Sequence, residues 1–357
     1  MTNGDISETQ RNPYLYNSWY CAGWAHDLGD QLIVRTMLDI PVLLYRTQAG
    51  IPVAIKDECP HRFAPLSMGH REGDDMVCPY HGLKFNTQGM CIDARYSDRG
   101  REGPCLRTFP LIERQNILWI WMGDPNKADA DEIVDYPFFD NPVRLKFYGT
   151  TYLNANYELE NDNLLDLSHL DYVHRNSIAQ DLSLHGAYSA QQDGNCVSSI
   201  WYGENVPIAD HFLPMFDGEP CQVDTWMKMH WMPASALKLD TGVKRTGAPM
   251  SEAIGTLQGH FVTPETATTS HYFWGLTLHP AFAEAGDIVR QATTQAFEDE
   301  DRPLIEAVQR RMGKADFWSK RPIILRDDGG AIRARRLLDR LIKAEMSPPV
   351  LSTVAAE

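Results

Sequence analysis

The chain has 357 residues, 43% hydrophobic and 23% charged, proportions that exclude global disorder and leave room for one large domain or two ordinary ones. Its 33 Lys and Arg against 48 Asp and Glu give a net charge of −15, which repels phosphate backbones and argues against a nucleic-acid partner. The longest apolar run, 117–122, has the length of a strand, and the polar start lacks a secretory signal; a cytoplasmic protein outside the membrane is expected.

Residues 1–13 read as a tail. From 14 to 122 short β-branched and aromatic segments, at 31–35, 41–46, 53–56 and 117–122, alternate with Gly, Pro and Asp, which predicts a small antiparallel β domain. Residues 123–142, rich in Pro and Asp, read as a linker. The segment 159–174 lacks Gly and Pro and predicts a helix. Strand character follows at 187–201, 222–231, 255–262 and 268–278, and helical character at 288–312, interrupted by Pro303, and at 331–344. The fold class expected is α+β: an N-terminal antiparallel β domain over 14–122, then a second domain over 143–345 with an antiparallel sheet and flanking helices, and a tail over 346–357.

Seven Cys in a chain this long are expected as thiols or metal ligands rather than as bridges. Four residues stand out. Cys59-Pro60-His61 and Cys78-Pro79-Tyr80-His81 put one thiol and one imidazole on each of two loops, with sixteen residues between His61 and Cys78. Zinc accepts such a set. The order Cys, His, Cys, His suits better a [2Fe-2S] cluster in which one iron takes both thiolates and the other both imidazoles. The paired loops resemble those of Rieske proteins. That resemblance implies Cys59 and Cys78 on one iron and His61 and His81 on the other.

A Rieske domain alone would be a non-catalytic electron carrier, or a metal-binding protein with a vestigial second site. The helix at 159–174 offers a catalytic centre, with Asn163, Asp166, His169 and His174. Two imidazoles and one carboxylate on one face of an iron leave positions open for dioxygen and substrate. A step of five residues on an ideal helix leaves His169 and His174 about 140° apart, so sharing one metal requires the helix to break or bulge between them. Asp166 falls between them on the same wheel and can hydrogen-bond an imidazole. By themselves the two His are equally compatible with an ordinary acidic helix.

Residues 163–174 resemble the mononuclear-iron motif of Rieske non-haem iron oxygenases, and the likeness extends over 14–345. It includes Asn17-Ser18-Trp19-Tyr20, Leu66-Ser67-Met68-Gly69 and Val262-Thr263-Pro264-Glu265-Thr266. The group most similar is that of the oxygenase components acting on aromatic acids, such as the vanillate and dicamba O-demethylases and toluenesulfonate monooxygenase. Leu83 departs from many ring dioxygenases, where Trp is frequent after the second cluster His. The resemblance implies a third iron ligand in 296–306, Asp301, with Asp299 as rival in a run of four acids. It implies one Rieske [2Fe-2S] cluster and one mononuclear Fe(II), with electrons from NAD(P)H through a reductase or ferredoxin. It also implies a head-to-tail homotrimer in which His81 of one subunit connects through Asp166 to His169 of the next. The expected reaction is mono-oxygenation with O2, hydroxylating or O-demethylating an aromatic, acidic substrate.

For the substrate pocket, coarse strand alternation nominates His260, Trp274 and Leu237, and Arg175, Lys238 or Arg245 could hold a carboxylate. The last helix places Ala334, Leu337, Leu338, Leu341 and Ile342 on one face, with Arg333, Arg335, Arg336, Arg340 and Lys343 elsewhere, an amphipathic pattern that suits docking on the domain or a basic patch for a partner.

Overall fold

The structure, a computed structural model, describes residues 14–93, 95, 105–175, 177–178 and 186–347. The N-terminal tail at 1–13 and the C-terminal tail from 348 onward lie outside the described residues. The first unit is built from β1 (Trp19–Trp24), β2 (Ile33–Met37), β3 (Ile40–Arg46), β4 (Pro52–Lys56), β5 (His70–Glu72), β6 (Asp75–Val77), β7 (Lys84–Phe85), β8 (Thr108–Phe109), β9 (Leu111–Arg114) and β10 (Ile117–Trp121). They form three antiparallel sheets, ordered β1-β10-β9, β2-β3-β4-β8 and β5-β6-β7. The four strands expected from composition are all present within one or two residues at each end.

The tight hairpin between β2 and β3 turns through Leu38 and Asp39, both at positive φ (51° and 61°). Leu is a poor residue for that conformation. It is held there because Leu38 is fully buried and the N–H groups of Leu38 and Asp39 donate to Pro264 and Glu265 oxygens, each at 2.9 Å. The hairpin thereby anchors the first unit on the second.

Residues 123–142 are ordered by three short 3-10 turns at Pro125–Lys127, Ala130–Glu132 and Pro137–Phe139. They bury Ile133, Tyr136, Phe138 and Phe139 in an aromatic cluster with Trp24, Trp119, Phe261 and Phe273, which belong to both units. Gly275 makes room for it, since a Cβ there would lie 2.5 Å from the Phe139 ring.

The second unit is one antiparallel sheet of seven strands. Its strands are β11 (Leu145–Leu153), β12 (Ala187–Asp193), β13 (Cys196–Pro207), β14 (Gln222–Met232), β15 (Ala236–Arg245), β16 (Ile254–Thr266) and β17 (Thr269–Leu278). Their order is β11-β17-β16-β15-β14-β13-β12. The single segment expected at 187–201 is a hairpin, because Gly194 at φ 54° turns the chain between β12 and β13. The helices are α1 (Tyr157–Leu165), α2 (Leu170–Val173), α3 (Gly286–Gln295), α4 (Arg302–Met312) and α5 (Gly329–Met346). They share a core with the sheet through Trp201, Met227, Met229 and Trp231. Among the described residues no helix is long and apolar enough to cross a membrane.

Two helical expectations need comment. The interruption expected in 288–312 falls just ahead of Pro303, which lies in the first turn of α4. The irregularity is a π-turn over Ala296–Asp301. Arg335 does not belong to a solvent face of the last helix. It is buried between α5 and α1, with Nε 2.8 Å from Asp162 Oδ1 and Nη1 2.8 Å from Glu158 Oε2. Burying a guanidinium is tolerable only with such partners.

Candidate metal centres and substrate cavity

The first cluster loop follows β4 and the second joins β6 to β7. Each is closed by its own backbone: Cys59 N–H donates to Ala64 O (2.9 Å), Cys78 N–H to Leu83 O (2.8 Å) and Gly82 N–H to Cys78 O (3.0 Å). Gly82 takes φ 70° at the tip of the second loop, a conformation that suits Gly. Asp57 accepts from Ser67 N–H and Oγ–H, both at 2.7 Å, and ties the first loop to the Leu66–Met68 turn. The result is polarised. Cys59 and Cys78 are buried, whereas His61 and His81 are exposed with ring centroids 4.6 Å apart.

Burial, and then the neighbouring Cys78, push the Cys59 thiol up to about 11. Two adjacent buried thiols cannot both ionise without a positive partner, which is what a cluster iron supplies. The loops therefore fit a [2Fe-2S] cluster with its thiolates inside and its imidazoles outside.

The helix expected at 159–174 breaks at Asp166, ahead of both His, rather than midway between them as the shared-metal argument expects. Asn156 caps α1 by accepting from Glu158 N–H at 2.8 Å, and α1 ends at Asp166, whose ψ of 83° is non-helical. A 3-10 turn (Leu167–His169) leads into α2, and His174 follows its last residue. With His169 closing the 3-10 turn and His174 just past the end of α2, His169 Nε2 lies 3.2 Å from His174 Nε2. From the π-turn, Asp301 Oδ2 lies 3.1 Å from His174 Nε2 and Oδ1 lies 3.7 Å from His169 Nε2. One donor atom from each of the three residues lies within 4.8 Å of the other two. Asp299 is exposed and takes no part.

The outer nitrogens of both rings are also engaged. His169 Nδ1 hydrogen-bonds the backbone carbonyl of Asp166, not its carboxylate, which accepts from Ser168 N–H (3.0 Å) and Oγ–H (2.6 Å). His174 Nδ1 donates to Glu300 Oε2 at 2.6 Å. Burial works against protonation of His174, but Asp301 and Glu300 outweigh it and raise its pKa. Asp301 Oδ1 is buried without a hydrogen-bond partner. An orphaned carboxylate oxygen beside two converging imidazole nitrogens, in surroundings that favour positive charge, fits a divalent metal.

The centre opens into a cavity of about 320 Å³, within the size range of small-ligand sites. Apolar side chains line most of it, among them Phe212, Met227, Met229, Leu239, Leu276 and Phe297. Asn163 and His260 also line it, and Asn163 Nδ2 and His260 Nε2 are buried without partners. His260 Nδ1 is 2.7 Å from the Tyr272 hydroxyl, and burial lowers its pKa to about 3, so the ring is neutral.

Two other pocket candidates do not reach the cavity. Trp274 lies one pleat step beyond the lining residue Leu276; its indole packs on Phe297 at 5.3 Å and donates to Thr151 Oγ1. Leu237 is fully buried in the core, one step beyond Leu239. Alternation chose the correct face, but the end of the cavity is fixed by the helices above. Nor do Arg175, Lys238 or Arg245 line it. Lys238 lies over the Tyr136 ring, and Arg245 pairs with Asp217 at 3.0 Å.

Residues 18–110 match the Rieske [2Fe-2S] domain family, and residues 153–344 match the Vanillate O-demethylase oxygenase C-terminal domain. The chain belongs to the vanillate O-demethylase family of Rieske oxygenases. It is 34% identical to the oxygenase component of chloroacetanilide N-alkylformylase from Rhizorhabdus wittichii, over 96% of this chain and 99% of that protein. It is 36% identical to the iron-sulfur subunit of the toluene-4-sulfonate monooxygenase system of Comamonas testosteroni, over 93% and 98%. The crystal structure of dicamba monooxygenase bound to 3,6-dichlorosalicylic acid superposes with a TM-score of 0.85 at 31% identity, covering 94% of this chain and 99% of that one. A structure of dicamba monooxygenase with non-haem iron and dicamba matches with a TM-score of 0.79 at 29% identity, over 93% and 98%.

This Rieske oxygenase is the oxygenase component of a multicomponent mono-oxygenase or O-demethylase. Its cofactors are one [2Fe-2S] cluster and one mononuclear iron, supplied with electrons from NAD(P)H through a separate reductase. A carrier with a vestigial second centre is thereby set aside. Sequence reasoning missed Glu300 and Ser177, whose hydroxyl donates to Glu300 at 2.6 Å. The one available signal was that Glu300 adjoins the expected ligand.

Proposed function

We propose that His169, His174 and Asp301 hold the mononuclear iron of this oxygenase, and that Cys59 with Cys78, and His61 with His81, hold the two irons of its cluster. The observation that carries the reading is the convergence of His169, His174 and Asp301 at the wall of an apolar cavity. Held there by His169, His174 and Asp301, an iron would supply dioxygen activation with electrons from the cluster, one oxygen atom going into a substrate C–H bond and the other to water. The chain's own residues do the rest. Asp301 and Glu300 fix the His174 ring from both sides. The apolar walls exclude water and hold an aromatic ring. His260 Nε2 and Asn163 Nδ2, lacking protein partners, orient the substrate's polar atoms. Hydroxylating a carbon attached to oxygen or nitrogen gives a hemiacetal or hemiaminal that collapses with loss of an aldehyde, so the same step performs dealkylation.

The working assembly in this reading is a head-to-tail homotrimer. The exposed cluster imidazoles are flanked by exposed Phe63, Met68 and Tyr80, an apolar tip suited to a neighbour's surface. The Asp166 carboxylate lies next to the carbonyl that holds His169, a route by which His81 of one subunit would reach His169 of the next. The domains would run 14–122 and 143–345 around the segment 123–142, and an enzyme fed from NAD(P)H would work in the cytoplasm. The test is dioxygen uptake with a reductase and a panel of aryl ethers and N-alkyl anilides. Uptake that requires substrate and matches aldehyde release supports the proposal; uptake indifferent to every substrate refutes it.

A further inference from the structure

The sheet beneath the cavity presents its side chains in cross-strand rows. One row runs Met229, Leu239, Gln258, Leu276 across β14, β15, β16 and β17, and the next runs Met227, Thr241, Thr256, Leu278. All of these except Leu278 line the cavity. The floor is apolar at its edges and polar at its centre, where Thr241, Thr256 and Gln258 form one connected island. Thr241 Oγ1 lies 2.9 Å from Thr256 Oγ1, and Gln258 Nε2 donates to Thr256 Oγ1 at 3.1 Å.

The island does not satisfy itself. Two hydroxyls share one hydrogen bond, so whichever of them donates, the hydrogen of the other is left over. Among the described residues neither that hydrogen nor Gln258 Oε1 has a protein partner. The floor therefore offers one O–H donor and one carbonyl acceptor side by side. Valine has the shape of threonine and suits a strand equally well, so an unbroken apolar floor was open to this sequence. Polar groups placed in an apolar cavity cost free energy unless a ligand pairs with them.

The island lies away from the centre. His260 occupies the row beyond Gln258, and its ring packs on Phe297 of the π-turn that carries Asp301. Four residues of β16 separate His260 from Thr256, about 13 Å along an extended strand. We propose that Thr241, Thr256 and Gln258 form a second recognition subsite, for a carboxamide or hydroxyl carried at the end of the substrate remote from the reacting C–H bond. This rests on the oxygenase reading above and adds a distal anchor to the contact at His260. Because the anchor is held alike in the ground and transition states, its loss appears in KM more than in kcat.

The test uses the full-length enzyme with both iron centres loaded and three methoxyarenes of one shape: 3-(4-methoxyphenyl)propanamide, 4-(4-methoxyphenyl)butan-2-one and 1-butyl-4-methoxybenzene. The amide donates and accepts, the ketone only accepts, and the butyl compound does neither. Titration calorimetry gives the dissociation constants, and formaldehyde release with a reductase gives turnover. In the wild type the amide binds about tenfold more tightly than the butyl compound, with the ketone between them, as two hydrogen bonds predict. Thr241→Val and Gln258→Met, which keep the volume, each lower the amide-to-butyl preference at least about threefold, whereas Thr241→Ser retains it. No amide preference in the wild type, or one that both variants keep, overturns the subsite; formaldehyde released from any of the three then leaves the dealkylation reading standing. An amide preference lost in the variants, with neither formaldehyde nor substrate-dependent oxygen uptake, upholds the subsite as a binding site and overturns the dealkylation reading.

Discussion

His174 is gripped at both ring nitrogens by consecutive residues: Nδ1 lies 2.6 Å from Glu300 and Nε2 lies 3.1 Å from Asp301. The π-turn over Ala296–Asp301 is what presents two neighbouring acids to one ring. Glu300 thus makes the imidazole a better donor and fixes its tautomer and rotation. Glu300→Gln is expected to weaken ferrous-ion affinity by about tenfold or more, read by competition with a chelator. Asp299→Asn, on the exposed side of the turn, is expected to leave it unchanged. Equal affinities in the two variants would contradict the assignment.

Acid sensitivity follows from His260. Its pKa falls from 6.5 to about 3 because burial penalises the charged ring. Between those values the unfolded chain binds a proton that the folded chain does not, so the contribution of this group is complete above the unfolded pKa and declines as pH drops. The slope is about 1.4 kcal/mol per pH unit. Wild-type stability in urea is expected to fall more steeply between neutral pH and pH 5 than that of His260→Gln, by about 2 kcal/mol over the interval. Parallel curves would refute a neutral buried His260.

Arg335 ties α5 to α1 through Asp162 and Glu158. Arg335→Ala leaves two largely buried carboxylates without their cation and is expected to cost about 3 kcal/mol of stability. Arg336→Ala, exposed on the next position, is expected to cost less than about 0.5 kcal/mol. Denaturant midpoints with unchanged slopes decide between them.

The assembly can be probed at its tip. Phe63→Asp with Met68→Asp replaces exposed apolar surface by charge and is expected to reduce the proposed trimer to smaller species by light scattering, with the cluster spectrum retained. Asp166→Asn is expected to leave both metals bound and stop turnover. Normal activity in that variant would rule out the bridging route.

The proposed ligands were legible in the sequence because metal chemistry restricts them to a few residue types at fixed spacings. The five-residue interval between His169 and His174 required a departure from one regular helix, and the structure supplies it by a change from a 3-10 turn to α2 at His169 and the end of α2 at Val173; the break at Asp166, ahead of both His, was not expected. What stayed hidden depended on backbone irregularity or long-range pairing. Four consecutive acids do not reveal which one a π-turn directs inward, so Asp301 was separated from Asp299 only by the structure. β11 at the sheet edge and β15 at its centre carry mixed polar patterns, LKFYGTTYL and ALKLDTGVKR, that conceal their strand pairing. Trp274 and Leu237 share a face with true lining residues, and only the helices packed above decide where the cavity ends. Arg335 looked like solvent charge because its partners lie on a helix far away in sequence.

The most direct measurement is the iron content of purified wild-type protein and of Asp301→Ala, read together with the cluster's absorbance and with substrate-dependent oxygen uptake. The account predicts three irons per chain in the wild type. It predicts two in the variant, with the cluster spectrum intact and no substrate-dependent uptake. A variant that keeps three irons and full uptake would show that the mononuclear iron is held elsewhere.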